Sequence, residues 1–390
     1  MNIVYHHRTQ GTGAEGVHIG HVIKGLRDIG HSVVTVSPNN EDPTKTGGDN
    51  PYEKKQSLKA RLFHFLSRSL PQVLFEVLEI LYNFTANSKL NTAAKKGKID
   101  FLYERNAFFL FAGARFSKRH NIPFIVEVNE IVGEHRVRDQ FFVKLAKRIE
   151  TSVFEQADAI IVVSTFLKQK IAQIGVPEDK IHVIPNAADN ALFNPDKYSK
   201  EKRSLYKIDD NDIVLGFIGW FVAWHNFDLL IQALSELNKT RTVHLMLVGD
   251  GVLKEQIAAK ARSLDCEDKL IFTGAIKHAE IPAFVQAMDI CIIPGSNAYR
   301  SPIKLFEYMA MGKPTVAPAL EPIEYVTKHK SNAMHFTPDD PQSLVNAIKI
   351  LAESDTLRAE IGSKARNTIQ THHLWIHNSQ KVIDIFENCK

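Results

Sequence analysis

The amino-terminal half of the chain alternates short runs of hydrophobic residues with longer stretches of helical periodicity. Residues 2–7 form a β-like apolar run, a glycine-rich stretch follows, and apolar positions then recur at helical spacing from about residue 17 to 28. Gly30 is placed to end that helix, and residues 31–37 predict the next strand. A strand, a helix and a second strand form the repeating unit of a parallel sheet.

The same order of elements begins again in the second half. Residues 213–218 predict a strand, 228–237 a helix and 243–248 another strand. Because such units join parallel strands through right-handed crossovers, we expect an α/β protein with two parallel sheets, in domains at about residues 1–190 and 200–370. The stretch between them is polar and rich in turn residues, as a linker would be. A periodic segment near residues 379–386 predicts a helix that can pack against either domain.

Composition narrows the class of protein. The chain has 390 residues, which suits two domains of roughly 100–200 residues each. No apolar run approaches the ~18 residues of a membrane span, and the first residues lack the apolar core of a signal peptide. Three scattered cysteines, Cys266, Cys291 and Cys389, indicate neither a disulfide framework nor a structural zinc site, so we expect a cytoplasmic protein. The net charge of +4 is too small to indicate a nucleic-acid partner.

One basic and apolar segment, residues 54–82, interrupts the first predicted sheet. Its leucines and phenylalanines alternate with cations in the pattern of a helix that lies on an anionic membrane surface. A helix that packs its apolar side on the sheet and leaves its lysines in solvent has the same pattern, so both interpretations stay open. The cations are Lys54, Lys55, Lys59, Arg61 and Arg68.

A glycine-rich motif follows the first predicted strand. Residues 11–16, GTGAEG, match the GxGxxG pattern of dinucleotide-binding proteins. The first glycine does not follow the strand closely, and no acidic residue ends the next strand, so a nicotinamide or flavin enzyme is disfavoured. Gly13 and Gly16 can instead let an anion or a substrate approach the backbone.

The stretch 291–317, CIIPGSNAYRSPIKLFEYMAMGKPTVA, predicts a strand, a loop and a helix. Ser301 is the expected N-cap and Pro302 the expected first helical residue. Lys304 would then lie in the first turn, where a cation opposes the helix dipole unless an anion is bound there. We therefore predict that Lys304 binds phosphate; a surface ion pair with Glu307, three residues later, is the alternative.

Aromatic residues follow the first predicted strand of the second domain. Trp220, Trp224 and His225 lie in one loop after a glycine. Together they suit a polar ligand with an apolar face, and the alternative is that the tryptophans cover the helix while the histidine is solvated.

Two acidic features can belong to a functional site or have a purely structural role. Glu127 lies inside the predicted strand at residues 124–128, so it either pairs with Arg105 or belongs to a site. Asp210 and Asp212 form a DxD sequence, but they precede a strand and are typical of a turn. No other metal-binding motif is present in the sequence, and we expect no metal and no cofactor.

Several stretches of the sequence, taken in the order in which they occur, resemble glycosyltransferase family 4, a family of retaining enzymes with the GT-B fold. Together they extend over nearly the whole chain. In the first half the similar stretches are GAEGVHIGHVIKGLRDIGHSVVTVSP and RIETSVFEQADAIIVVSTFLKQKIAQIGVPEDKIHVIPNAADNALFNP. In the second half they are LVGDG, FTGAIKHAEIPAFVQAMDICIIPG and SPIKLFEYMAMGKPTVA. YERNAFF and IPFIVEVNE are similar to a subgroup of bacterial polysaccharide synthesis.

The resemblance implies two Rossmann-like domains that face an interdomain cleft. The domain at 1–190 would bind the acceptor, the domain at 200–370 the nucleotide-sugar donor, and a helix within residues 371–390 would cross back to the first domain. The implied reaction moves a sugar from a UDP- or GDP-linked donor to a hydroxyl of a carbohydrate or lipid-linked acceptor. A lipid-linked acceptor would bring the protein to the inner face of the membrane through residues 54–82.

The resemblance also implies roles for individual residues. Catalytic roles fall to Lys304, His225 and Asn129. The donor would contact Gly13, Gly16, Trp220, Gly274, Gly295, Tyr299, Ser301, Pro302, Ile303 and Glu307. The acceptor side would contain His18, Glu127 and Glu130.

The chain departs from the family pattern at three places. Tyr299 stands where the first acid of an acid-x7-acid pair would be, and Glu307 is the second acid. Trp220 and His225 replace the usual arginine and lysine of the loop, and Asn129 with Glu130 replaces a frequent His-Asp pair. The alternatives to a transferase are a nucleotide-sugar epimerase, a phosphorylase, and a nucleotide-sugar-binding protein with a degenerate site.

Overall fold

The computed structural model describes residues 1–9, 13–39, 42–46, 72–134 and 140–389. The chain divides into two compact units, of which unit 1 comprises Met1–Ile184 with Asn378–Lys390 and unit 2 comprises Pro185–His377. Each unit is built on a six-stranded sheet whose strand pairs are parallel. The prediction of an α/β chain with two parallel sheets is therefore confirmed.

Unit 1 has the strand order β2-β1-β3-β4-β5-β6. The central strands β3, β4 and β5 are buried along their whole length, because helices cover both faces of a parallel sheet. The strands are β1 Asn2–His6, β2 Ser32–Val36, β3 Phe101–Arg105, β4 Phe124–Val128, β5 Ala159–Val162 and β6 Ile181–Val183. The α-helices are α1 Gly13–Asp28, α2 Pro43–Thr46, α3 Gln72–Ala94, α4 Ala112–His120, α5 Val143–Gln156 and α6 Thr165–Gln173, and a short 3-10 helix spans Glu178–Lys180.

Unit 2 has the strand order β12-β11-β10-β7-β8-β9. Alternate residues of β7 face two separate cores, with Leu215 and Phe217 in one and Val214 and Ile218 in the other. The strands are β7 Ile213–Ile218, β8 Val243–Val248, β9 Leu270–Gly274, β10 Ile290–Ile292, β11 Thr315–Pro318 and β12 Met334–Phe336. The α-helices are α7 Lys202–Leu205, α8 Phe227–Asn238, α9 Lys254–Ser263, α10 Ile281–Ala287, α11 Ile303–Ala310, α12 Glu321–Glu324, α13 Pro341–Ala352 and α14 Asp355–His372. Short 3-10 helices span Pro195–Lys197, Ala223–His225, Glu267–Lys269 and His278–Glu280.

Two boundaries differ from the sequence expectation. Helix α1 begins at Gly13 and not near residue 17, because the end of the glycine-rich stretch supplies its first turn. The polar stretch 185–212 belongs to unit 2, where it forms short helices and buries Phe193 and Arg203.

The chain returns to unit 1 through its last helix, α15 (Trp375–Asn388). Residues from Asn378 onward belong to unit 1, and Phe386 stacks on Phe101 of β3 with ring centroids 4.4 Å apart. Val382 and Ile383 are buried beside it.

Helix α3 leaves an apolar face uncovered by the described residues. Leu74, Leu78, Leu81 and Phe84 are exposed on it, and Phe84 is 73% exposed. Residues 54–71, with the five cations of the basic segment, lie outside the described part of the chain. Across the described ranges, no helix is both long and apolar enough to cross a membrane.

Candidate functional site

The candidate site of unit 2 lies where β7 ends beside the start of α11. Strand β7 lies between β8 and β10 in the sheet. The chain leads from β7 to β8 on one side and from β10 to β11 on the other, so the connections after these two adjacent strands leave in opposite directions, which is where open α/β sheets bind ligands. The hydroxyl of buried Tyr308 accepts a hydrogen bond from the N–H of Ile218 at 2.7 Å. Since Ile218 is the last residue of β7, this bond fixes α11 against the carboxyl end of the strand.

Lys304 lies in the first turn of α11, as predicted, and its side chain turns toward β7. Its Nζ atom lies 3.9 Å from the centroid of the Phe217 ring and 3.3 Å from Nε2 of His225. Gly219 makes room for it, because a Cβ atom there would lie 2.8 Å from Nζ, and its φ of 139° also favours glycine. Burial lowers the pKa of Lys304 to about 7, an effect that the charge of Glu307 only partly opposes.

His225 is the direct neighbour of Lys304. Its Nδ1 atom lies 3.1 Å from the carbonyl oxygen of Gly295, which can only accept, so Nδ1 carries the proton and Nε2 presents a lone pair to Lys304. Burial, followed by the charge of Lys304, lowers the pKa of His225 to about 2. His225 is therefore neutral and accepts a hydrogen bond from the lysine.

Glu307 does not pair with Lys304. Its Oε1 atom lies 2.7 Å from Nε2 of His278, and both side chains are mostly buried. Burial alone would lower the pKa of His278, but the hydrogen bond and the charge of Glu307 raise it. The alternative of a surface ion pair between Lys304 and Glu307 is thus wrong, and His278 is a site neighbour that the sequence analysis missed.

Ser301 has another role than the one predicted. Its hydroxyl accepts a hydrogen bond from the backbone N–H of Asn186 at 3.0 Å, and the helix begins at Ile303 with Pro302 in the N-cap position. The prediction that Ser301 caps the helix is wrong, since Asn186 already uses its hydroxyl. No side chain caps α11 within the described ranges, so its amino-terminal N–H groups suit an anion.

Aromatic residues and one arginine border this region. The guanidinium of Arg300 lies 4.9 Å from the ring centroid of Trp224 and 5.6 Å from that of Tyr299, which is buried. Trp220 is about half exposed. Gly295 lets the loop with Trp224 pass closely, because a Cβ atom there would lie 2.6 Å from the Trp224 carbonyl oxygen.

Gly274 lies farther along the same edge of the sheet of unit 2. It ends β9, and its carbonyl oxygen accepts from the N–H of Gly249 at 3.0 Å.

A second cluster surrounds Glu127 in unit 1. Arg105 donates to its Oε1 atom at 2.6 Å, Asn129 donates at 2.6 Å, and Nε2 of His18 lies at 2.8 Å. The hydroxyl of Tyr103 donates to Oε2 at 3.0 Å. Burial would raise the pKa of Glu127, but His18, Arg105 and Asn129 outweigh it and hold that pKa well below its usual range. The pairing of Glu127 with Arg105 is thereby confirmed.

The remaining predicted residues of unit 1 lie around this cluster. Gly13 is the first residue of α1 with a φ of 64°, and Gly16 is buried in the same helix as His18. Glu130 follows β4 in a half-buried position. The first two residues of the GxGxxG motif, 11 and 12, lie outside the described residues.

The DxD sequence has a structural role. Asp212 accepts from Nε2 of His244 at 2.9 Å, at the start of β7 and away from the carboxyl end of the sheet. Over the described ranges, histidine, cysteine, aspartate and glutamate nowhere gather in threes as a metal site requires.

Comparison with known proteins gives two matching family models. A model described as "Glycosyltransferase Family 4" matches residues 15–192, and one described as "Glycosyl transferases group 1" matches residues 199–368. A lipopolysaccharide core biosynthesis glycosyltransferase of Rhizobium meliloti is 27% identical over 60% of this chain and 65% of its own length. An uncharacterized glycosyltransferase of Methanocaldococcus jannaschii is 23% identical over 58% of this chain, and the match spans 59% of that relative.

Solved structures share the fold at low sequence identity. A glycosyltransferase of Rickettsia africae has a TM-score of 0.76 at 18% identity, covering 100% of this chain and 98% of its own. HepE of Anabaena in complex with UDP has a TM-score of 0.74 at 19% identity, with 100% of both chains covered.

Proposed function

Because this chain belongs to glycosyltransferase family 4, with the GT-B fold, we propose that it transfers a sugar from a nucleoside diphosphate sugar to an acceptor hydroxyl. The observation that carries this proposal is the position of Lys304, whose amino group lies at the uncapped amino terminus of α11 where β7 ends. A diphosphate is the anion that such a site suits. Retention of the anomeric configuration is part of the proposal and rests on family membership.

In this reaction the bond between the anomeric carbon and the distal phosphate oxygen breaks. Negative charge grows on that phosphate as the nucleoside diphosphate leaves. Lys304 and the first N–H groups of α11 would stabilise this charge, in the way that a metal ion does in other enzymes. His225 contributes no charge and acts through Lys304.

The donor is proposed from chemistry and from relatives. Glu307 would accept hydrogen bonds from the ribose hydroxyls, with His278 holding its carboxylate in place. HepE has been solved with UDP-glucose, and a mannosyltransferase of Mycolicibacterium smegmatis that is 27% identical is named as GDP-mannose-dependent. UDP- and GDP-linked sugars are therefore the donors to test, without added metal.

The acceptor is proposed from the names of relatives. They include the lipopolysaccharide core enzyme and a putative teichuronic acid biosynthesis glycosyltransferase of Bacillus subtilis, which is 27% identical over 48% of this chain. We propose a polysaccharide or lipid-linked acceptor, with His18, Asn129 and Glu130 of unit 1 on the acceptor side. The proposed location is the cytoplasm, at the inner face of the membrane.

Substitution of Lys304 tests the catalytic proposal. Lys304→Ala should reduce turnover by roughly 10²-fold or more with the fold intact, as expected when one preorganised charge is lost. The rate is measured as nucleoside diphosphate released from a panel of UDP- and GDP-sugars with lipid-linked and oligosaccharide acceptors. Lys349→Ala is the matched control, because that lysine of α13 is exposed and its Nζ atom pairs with Glu353 at 4.0 Å.

Two results would contradict the proposal. A near-wild-type turnover number in Lys304→Ala would remove Lys304 from the mechanism. Binding of a nucleotide sugar without turnover on any acceptor would favour the alternative of a degenerate binding protein, to which the departures at Trp220 and Tyr299 point.

Membrane association is proposed from two features. The exposed apolar face of α3 follows the five cations of residues 54–68 in the sequence. Phe141, 65% exposed, precedes α5, and exposed Leu145 lies in the first turn of that helix. The backbone N–H of Phe141 donates to buried Glu76 of α3 at 2.6 Å, which brings the two helices together. Each cation of residues 54–68 would add up to about 1 kcal/mol near anionic lipid, within a Debye length of ~8 Å.

Co-sedimentation with anionic vesicles at low and high salt tests this association. The native protein should bind reversibly and less at high salt. A variant with the five cations neutralised and a second variant, Phe84→Ser, should each bind less. Equal sedimentation of all three proteins would contradict the proposal.

A further inference from the structure

Lys304 has an unusual set of neighbours for a cation. From β7 it meets the ring of Phe217, and from the following loop it meets the neutral ring of His225. Its own helix adds the charge of Glu307, and the preceding loop adds the positive charge of Arg300, which acts on His225. Among the described residues, no carboxylate oxygen lies within 4.0 Å of Nζ of Lys304, the distance at which the two groups would form an ion pair.

Glu307 is hydrogen-bonded to His278 and does not form an ion pair with Lys304. Its carboxylate is bound to His278, whose protonated form it favours, and Asp189 adds a further negative charge toward that histidine. Glu307 therefore has its hydrogen-bonding partner in His278, and its charge opposes only part of the effect of burial on the pKa of Lys304. Lys304 is left in an apolar position without a counter-ion.

His225 suits both forms of the lysine. The lone pair on its Nε2 accepts a hydrogen bond from the ammonium group and from the neutral amine, because both carry N–H donors, and the bond from the charged donor is the stronger one. Its own orientation is fixed by the bond from Nδ1 to the Gly295 carbonyl oxygen. The lysine thus keeps its place whether or not it carries a charge.

We propose that Lys304 takes up a proton from solution when the diphosphate of the donor binds, and that His225 is the positioning residue that holds Nζ in both states. This inference rests on the proposed function, since it needs a diphosphate at α11. The amine gains one proton and becomes an ammonium group, and the diphosphate supplies the counter-ion that the protein lacks. The site then has its full charge only when the donor is bound.

The number of protons taken up on donor binding follows from the environment of Lys304. Burial holds the pKa of Lys304 at about 7, so about half of the free protein carries the charge at that pH. Donor binding should take up about half a proton at pH 7, close to one at about pH 8.5 and almost none at about pH 5.5. By linkage, affinity for the donor should fall by up to about tenfold per pH unit above pH 7.

Isothermal titration calorimetry measures this proton uptake directly. UDP-glucose and GDP-mannose are titrated into the full chain at the three pH values, in pairs of buffers with different ionisation enthalpies. Nucleotide sugars are used because the terminal phosphate of a free nucleoside diphosphate titrates near pH 6 itself. The dependence of the binding heat on buffer ionisation gives the number of protons taken up.

Two variants test whether Lys304 is the residue that takes up the proton and whether His225 influences this uptake. Lys304→Arg keeps a charge at every pH of the experiment, so it should bind the donor with no uptake at pH 8.5. His225→Phe keeps a ring of similar size but removes the acceptor that stabilises the ammonium, so uptake at pH 7 should rise from half a proton toward one. A merely structural role for His225 would leave the number of protons unchanged.

The outcomes separate the inference from the proposed function. Binding without proton uptake in the native chain, or equal uptake in Lys304→Arg, would overturn the inference and leave the proposed function standing. Binding of neither nucleotide sugar at any pH would contradict the proposed function and the inference with it.

Discussion

Glu127→Gln removes the negative charge at the centre of the buried cluster in unit 1 while keeping the shape of the side chain. Arg105 then stays buried opposite a neutral amide, and arginine cannot lose its proton. Breaking a buried pair by removing one charge costs about 3–5 kcal/mol. We expect a loss of that size in the free energy of unfolding, which for a unit of about 200 residues lowers the melting temperature by about 6–20 °C.

The neighbouring pair of His6 and Glu104 offers a matched control. Glu104 is equally buried on the adjacent strand β3, and its Oε2 lies 2.5 Å from Nδ1 of His6. Because the partner of Glu104 is an imidazole and not a permanently charged guanidinium, Glu104→Gln should cost less, about 1–3 kcal/mol. Chemical denaturation followed by far-UV circular dichroism measures both variants at pH 7.

Two further measurements test the reasoning behind this difference. Arg105→Met combined with Glu127→Gln should be less destabilising than the sum of the single substitutions, since no charge is then left unpaired. Glu127 has a pKa below its usual value in the folded chain, so its contribution is complete above about pH 4.3 and is lost as the pH falls toward the folded value. The gap between the native chain and Glu127→Gln should therefore narrow below that pH. A gap under about 1 kcal/mol at pH 7, or one that widens in acid, would refute the argument.

Three other outcomes can be checked. Gly295→Ala should lower turnover by up to about 10²-fold, because its Cβ would displace the Trp224 carbonyl and with it His225; unchanged steady-state kinetics would show that the loop adapts. Tyr308→Phe leaves the N–H of Ile218 without its acceptor and should cost about 1–3 kcal/mol in chemical denaturation, and an unchanged midpoint would contradict that role. Activity should persist in EDTA, and a strict requirement for Mg²⁺ or Mn²⁺ in initial-rate assays would contradict stabilisation of the leaving group by Lys304 and α11.

The fold was predictable because its signal is local. Every residue of β7 is buried, and the run IVLGFI at that position is apolar enough to indicate a central parallel strand without knowledge of its partners. Lys304 was predictable for a similar reason. Its conflict with the helix dipole is a property of a single turn and can be deduced from the sequence.

The pairings within the site join residues that are far apart in the sequence, so they could not be predicted from sequence spacing. Ser301 has the sequence pattern of an N-cap, yet Asn186, 115 residues away, binds its hydroxyl. His278 reaches Glu307 from a short helix 29 residues earlier, and no local pattern distinguishes it from other histidines. Only the arrangement of the strands brings these side chains together.

The return of the chain to unit 1 through α15 has a consequence for its biosynthesis. Residues Met1–Ile184 emerge from the ribosome first, and the buried segment with Val382, Ile383 and Phe386 emerges about 190 residues later. At about 5–20 residues per second, unit 1 waits roughly 10–40 s for its last element. During that time the ring face of Phe101 that Phe386 later covers remains accessible, so nascent chains stalled before residue 378 should be good clients for chaperones that bind exposed apolar surface.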